Sequence, residues 1–144
     1  MLIQQFLQVK AIPGVITLPP SATICNVIKV LSKKIIGGIV ISSDNRYCEG
    51  IISERDIVKI LSQDGADALD DTVENYMTSQ LISCTPDATA DQVLTVMTEK
   101  RFRHMPVIVN SELLGLVTIG DIVKARLTEL EMEKEALEGM IMGY

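Results

Sequence analysis

Apolar positions along this chain recur in two rhythms, and each rhythm occurs twice. Ile24, Val27, Ile28 and Leu31 fall at the three- and four-residue spacing of one helix face, and Ala90, Val93, Leu94 and Met97 repeat that face 66 residues later. Ser21 and Asp87 stand ahead of these stretches as residues able to cap a helix. Each helix leads to an apolar run suited to a strand, Gly38 to Ile41 and Met105 to Val109, and then to a polar turn, Ser42 to Arg46 and Asn110 to Glu112. The match is closest in the next strand and helix, where Gly50-Ile-Ile-Ser-Glu-Arg-Asp-Ile-Val-Lys59 answers Gly115-Leu-Val-Thr-Ile-Gly-Asp-Ile-Val-Lys124. The offset there is 65, so the second turn has lost one residue, as a surface loop can.

With leading strands at Val15 to Leu18 and Leu81 to Cys84, each copy reads strand, helix, strand, strand, helix. The expected fold is therefore mixed α/β (α+β), with two β-α-β-β-α repeats packed through their sheets about a pseudo-twofold axis. Units of about 60 residues bury too little surface alone, which is the reason to expect them paired. The expected boundaries are 8–64 for the first unit, 72–128 for the second and 129–144 for a helical tail. The opening MLIQQFLQVK reads as a short amphipathic lead-in helix. In the tail, Leu127, Leu130, Leu137 and Ile141 form a stripe that Lys134 interrupts, amid glutamates at 129, 131, 133, 135 and 138. That stripe suits either a dimer-packing face or a helix folded back on its own core.

Composition narrows the function. The net charge of −6 argues against a nucleic-acid partner. No apolar run approaches the roughly 20 residues of a membrane span, and the start lacks the basic and apolar parts of a secretory signal. Cys25, Cys48 and Cys84 are scattered without C-x-x-C spacing, and there is one histidine. This set suits free thiols in a reducing cytoplasm, with no metal site. Neither a G-x-G-x-x-G nor a P-loop signature occurs.

Candidate chemistry gathers at three places. At the turn into the last helix of each copy stand Ser53-Glu-Arg-Asp56 and Thr118-Ile-Gly-Asp121, a hydroxyl and a carboxylate three residues apart. Such a carboxylate can accept hydrogen bonds from a ribose diol beside the positive end of a helix. The plainer reading is an N-cap, worth about 1 kcal/mol. Arg101-Phe-Arg-His104 concentrates positive charge before the strand at Met105. Lys100 and Arg101 read as a solvated basic helix end, whereas Arg103 and His104 enter the strand and suit a phosphate. Arg55, opposite Gly120 in the repeat, is the third candidate, and Gly37-Gly38 and Gly120 leave room for a close backbone approach.

With these motifs in one duplicated frame, residues 8 to 128 resemble a tandem CBS-domain pair (a Bateman module), in particular the stand-alone bacterial CBS-pair proteins. The resemblance implies a binding module for adenosine compounds, with AMP first and ADP, ATP or NAD as alternatives. It implies no catalytic cofactor, a homodimer and an unidentified protein partner that reads the ligand in trans. Carried over by residue, one site would use Asp121, Thr118, Arg103 and His104, its base lying between Ile12, Val15 and Ile16 and the strand Met105, Pro106, Val107. The other would use Asp56, Ser53 and Gly38, its base against Thr78 to Ile82, with Arg55 or a partner chain at the phosphates. The Asp121 site is the expected stronger binder. An NAD-binding pair and an unliganded dimerisation module are the rival readings. An enzyme with His104 and Asp121 as acid and base lacks any accompanying nucleophile or metal set, so no catalysis is expected.

Overall fold

A computed structural model describes residues 1–9 and 14–143 of the chain. The elements run α1 (Ile3–Val9), β1 (Thr17–Leu18), α2 (Ile24–Lys34), β2 (Gly38–Ile41), β3 (Gly50–Ser53), α3 (Glu54–Asp64), two 3₁₀ turns (Gly65–Asp70, Val73–Asn75), α4 (Ala90–Lys100), β4 (His104–Val109), β5 (Glu112–Thr118) and α5 (Ile119–Met142). Two repeats are present, as the apolar pattern requires. In the first, β1 runs parallel to β2 and β2 antiparallel to β3; in the second, β4 and β5 pair antiparallel.

The helices start where side chains satisfy the free N–H groups of the first turn. Thr23 and Thr89 cap α2 and α4, two residues beyond the expected Ser21 and Asp87. Threonine oxygen accepts from the backbone of the third helical residue in both, so the cap falls next to the first apolar position. Ser53 and Thr118 cap α3 and α5. Both α2 and α4 end on a left-handed residue at the same repeat position, Ile35 (φ 53°) and Arg101 (φ 59°). Each returns its N–H to a carbonyl four residues back, Leu31 and Met97.

The expected leading strand at Leu81 to Cys84 does not form; only Cys84 makes a bridge, parallel to Val107. Repeat arithmetic supplies the reason. In the first copy Val40 N–H donates to Ile16 O and Ser42 N–H to Leu18 O. Their counterparts are Pro106, which has no N–H, and Ile108, whose N–H donates to Cys84 O at 2.9 Å. Half the ladder is lost with the proline.

Each half has its own aliphatic core. Ile24, Val27, Leu31, Ile39, Ile41, Ile52, Ile57 and Ile60 fill the first, and Val93, Met97, Met105, Val107, Val117 and Ile122 the second. The lead-in segments cross over. Ile3 and Phe6 of α1 pack in the second core, and Val73 in the first. Hydrogen bonds match in pairs: Val73 N–H to Ala22 O and Ile24 N–H to Asp71 O in one half, Ile3 N–H to Ala88 O and Ala90 N–H to Met1 O in the other. Residues 71–77 and 1–7 are thus a further repeated unit, each closing the core of the other copy. Met77 covers Gly50, and Leu7 covers Gly115, where a Cβ would lie 2.4 Å from the sulfur and 2.8 Å from a leucine methyl respectively. Both glycines are small because a lead-in side chain occupies the space.

The helix α5 runs unbroken to Met142, so the tail does not fold back on the core. Leu127 and Leu137 are 62% and 60% exposed.

Candidate functional site

Two clefts open at the junction of the halves, of about 350 and 270 Å³. The larger takes Ser53, Glu54, Arg55 and Asp56 from the β3–α3 turn of the first copy. From the second copy it takes Thr78 and Gln80 to Ile82, and Lys100 to His104 from the α4–β4 turn. The smaller has the mirrored construction: Thr118 and Asp121 at the β5–α5 turn meet Gly14 to Ile16 and Ile35 to Gly38 of the first copy, with Leu116 and His104 completing the wall.

This crossing relocates two expected residues. Arg103 lines the Asp56 cleft, not the Asp121 cleft, and Gly38 lines the Asp121 cleft, not the Asp56 cleft. In each copy the residues entering the second strand line the same cleft as that copy's leading segment, opposite the helix start of the other copy. Met105, Pro106 and Val107, expected against a base, line neither cleft; they are buried, with Met105 and Val107 in the second core. Val15 and Ile16 lie in the Asp121 cleft, and Thr78, Ile82, Ser53 and Arg55 in the Asp56 cleft. Ile12 lies outside the described residues.

His104 lines both clefts. Its repeat counterpart, at the offset of 66, is Gly38, and the two meet: a Cβ on Gly38 would sit 2.8 Å from Cδ2 and 2.9 Å from Nε2 of the imidazole. A residue near a pseudo-twofold axis packs on its own equivalent, and there is space for one side chain only. The difference between Gly38 in one copy and His104 in the other is thereby accounted for. Burial holds the His104 pKa below its ordinary 6.5, assisted by Arg103 and opposed by Glu54, Asp56 and Asp121.

The N-caps are Ser53 and Thr118, not the aspartates; Asp56 and Asp121 are the third helical residues and complete a capping box with them. Asp56 Oδ2 accepts from Ser53 N–H at 2.8 Å and from Ser53 Oγ at 3.0 Å, while Asp56 N–H donates to Ser53 Oγ. Asp121 Oδ2 accepts from Thr118 N–H at 3.0 Å, with the reciprocal bond at 3.1 Å. Capping and ligand contact are compatible, because the bonds at Asp56 fall on one carboxylate oxygen and the residue lines the cleft.

The clefts differ in charge. Arg55, Lys100, Arg101 and Arg103 line the Asp56 cleft, against Glu54 and Asp56. Among the described residues the Asp121 cleft has no lysine or arginine, and Ile35 and Ile36 occupy the positions of Arg101 and Phe102. Lys100 and Arg101, which the sequence suggested were only a solvated helix end, belong to the cleft wall. Among the described residues no cluster of His, Cys, Asp and Glu could hold a metal ion, and no helix is long and apolar enough to cross a membrane.

Twinned strand–helix units with two clefts at their junction, each assembled from both copies, define a paired-repeat architecture. The CBS domain family model matches residues 9–63 and 73–128, and the chain belongs to that family. It is similar to the CBS-domain containing protein ATU1752 from Agrobacterium tumefaciens, with 36% identity over 88% of this chain and 99% of that one and a TM-score of 0.82. It is also similar to the CBS domain pair of MJ0100 solved in complex with 5′-methylthioadenosine and S-adenosyl-L-methionine, with 27% identity over 90% and 98% of the two chains and a TM-score of 0.77. The mitochondrial CBS domain-containing protein CBSX3 of Arabidopsis thaliana is 30% identical over 84% of this chain, which spans 61% of that protein's length.

Proposed function

We propose that this chain is a regulatory module that binds an adenosine-type nucleotide, AMP first among ADP, ATP and NAD, and catalyses no reaction. The phosphate-bearing ligand enters the Asp56 cleft rather than the Asp121 cleft. The observation that carries this is the charge difference: four cationic side chains line the cleft that also holds Asp56 at the start of α3. Asp56 accepts from the ribose hydroxyls, and Arg103 and Arg55, beside the positive end of α3, take the phosphate. Thr78 and Ile82 line the base. The relative crystallised with 5′-methylthioadenosine and S-adenosyl-L-methionine supports an adenosine moiety as the common element. Asp121 and Thr118, with Val15, Ile16, Gly38 and His104, form the second binding site. The units 8–64 and 72–128 with the tail 129–144 act as one homodimeric cytoplasmic module. Its occupancy is read by a separate protein, through the ligand's unequal affinity for two states of the module.

Calorimetric titration with adenosine, AMP, ADP, ATP and NAD tests this reading. Micromolar AMP binding, roughly −7 to −8 kcal/mol, is expected for the wild type. Arg103→Ala should remove about 1.5–3 kcal/mol from AMP binding, a charge-assisted hydrogen bond, and little from adenosine. Asp56→Asn leaves the Ser53 N-cap in place and keeps a side-chain oxygen for the reciprocal bond, while removing the charged ribose acceptor, so it should weaken both ligands without unfolding the chain. Absence of heat with every adenosine compound would overturn the reading and favour an unliganded dimerisation module. An Arg103→Ala variant that bound AMP like the wild type would overturn the assignment of the cleft.

A further inference from the structure

One apolar side chain stands where neither the backbone nor the solvent favours it. Ile35 ends α2 in the left-handed region, at φ 53° and ψ 54°. That region crowds a β-branched side chain, and glycine or asparagine is the ordinary occupant of a left-handed helix end. The other described residues with positive φ are glycines, asparagines, a serine and an arginine. Ile35 is also 91% exposed, more than any other large apolar residue described. Its neighbour Ile36 packs against the first core, but burial does not offset the crowding at Ile35.

Ile35 lines the Asp121 cleft. Val15, Ile16 and Leu116 make more of that wall apolar, and Thr118 and Asp121 supply its polar end at the start of α5. In the repeat, Phe102 answers Ile36 and likewise packs on its own core, so the copies differ in what flanks this position. Arg101 and Arg103 flank it in the Asp56 cleft, Ile35 and Gly37 in the Asp121 cleft. A hydrocarbon side chain thus stands where the other cleft sets a guanidinium. Burial keeps the His104 pKa below 6.5, so the imidazole adds little charge at neutral pH. A phosphate here would face the Asp121 carboxylate with no lysine or arginine among the described residues to offset it. We propose that Ile35 is a specificity-determining residue of the Asp121 cleft: it lies against the 5′ end of a bound nucleoside and selects one whose 5′ substituent is uncharged and apolar. The inference rests on the reading of the two clefts as adenosine sites, and assigns them different members of that class. The ribose diol meets Asp121, and the 5′ substituent covers Ile35, removing from water the side chain that the fold leaves exposed. The bond from Ile35 N–H to Leu31 O holds the backbone in its crowded conformation, so the side chain is already in place when the ligand arrives.

Calorimetric titration of the full chain with 5′-deoxyadenosine, in the presence of saturating AMP, tests this. The wild type should take up one AMP and then one 5′-deoxyadenosine. Ile35→Gly removes the apolar contact and relieves the left-handed crowding. It should weaken 5′-deoxyadenosine about tenfold or more while raising the urea midpoint of unfolding. A merely structural isoleucine would not couple weaker binding to a more stable fold. Ile35→Arg introduces the residue of the other copy and should admit a second AMP. A wild type that takes up two AMP, or AMP but no 5′-deoxyadenosine, would overturn this inference and leave the nucleotide reading of the Asp56 cleft standing. Binding of neither would overturn both. An Ile35→Gly variant with wild-type affinity for 5′-deoxyadenosine, or with a lowered urea midpoint, would overturn the role of Ile35.

Discussion

Replacing Gly38 by alanine probes the junction between the two copies. A Cβ on Gly38 would stand 2.8, 2.9 and 3.1 Å from three ring atoms of His104. Carbon contacts are favourable near 3.5–4.0 Å, so the imidazole must retreat by about 1 Å. Gly38 is buried in β2 and paired with Ser53, so the strand cannot move away without disturbing the capped start of α3. The expected loss of stability is that of an overpacked core, about 1–3 kcal/mol. The decisive assay is urea unfolding of the wild type, Gly38→Ala, His104→Ala and the double variant. If the ring is the obstacle, the alanine at 38 should cost about 1 kcal/mol or more less when residue 104 is also alanine. Equal losses in the two backgrounds would refute the packing of His104 on its own repeat equivalent. With it would fall the explanation of why one copy has Gly38 where the other has His104.

Two further outcomes follow from the ionisable groups. Because the His104 pKa is lowered in the folded protein, the unfolded chain takes up the proton first as pH falls. The stabilisation by neutral His104 is complete above about pH 6.5 and is lost as pH falls through the folded value, so His104→Gln should flatten the dependence of unfolding free energy on pH between about 7.5 and 5.5. Burial pushes the Cys84 thiol up to about 11 from 9.0. Its alkylation at neutral pH should therefore be about a hundredfold slower than in urea, as read by mass spectrometry of the labelled peptides; equal rates would contradict the burial.

The fold was largely legible because duplication writes every signal twice. Ile24, Val27 and Leu31 at helical spacing gain their weight from Ala90, Val93 and Met97 at the same offset, and both sets are buried. What escaped was the lead-in repeat. Met1 to Leu7 and Asp71 to Met77 share only an apolar pattern, Leu-Ile-x-x-Phe-Leu against Thr-Val-x-x-Tyr-Met, and their kinship becomes visible through matching hydrogen bonds to Ala88 and Ala22. The missing leading strand was readable in principle, since Pro106 stands where a backbone donor is needed. The site was legible in kind but not in partition. Ser53, Asp56, Thr118 and Asp121 declare themselves by a repeated frame, yet sequence adjacency suggested that Arg103 serves the aspartate of its own copy. The structure places it in the cleft of the other.

The two clefts owe their inequality to a steric constraint on the axis. In an ideal duplication both would carry the same residues before the second strand, and the two copies of position 38/104 would then collide. With His104 at one and Gly38 at the other, the ring fills the shared space and becomes part of both walls. The neighbouring positions have diverged in the same sense: Arg101, Phe102 and Arg103 face Asp56, whereas Ile35, Ile36 and Gly37 take their places before Asp121. One cleft thus holds four cationic side chains with Glu54 and Asp56, and the other none among the described residues, so their local fields differ in sign. Any ligand that shifts the imidazole in one cleft alters the wall of the other, since the same atoms line both. Two clefts built by duplication are in this way made unequal in charge and physically continuous through a single side chain.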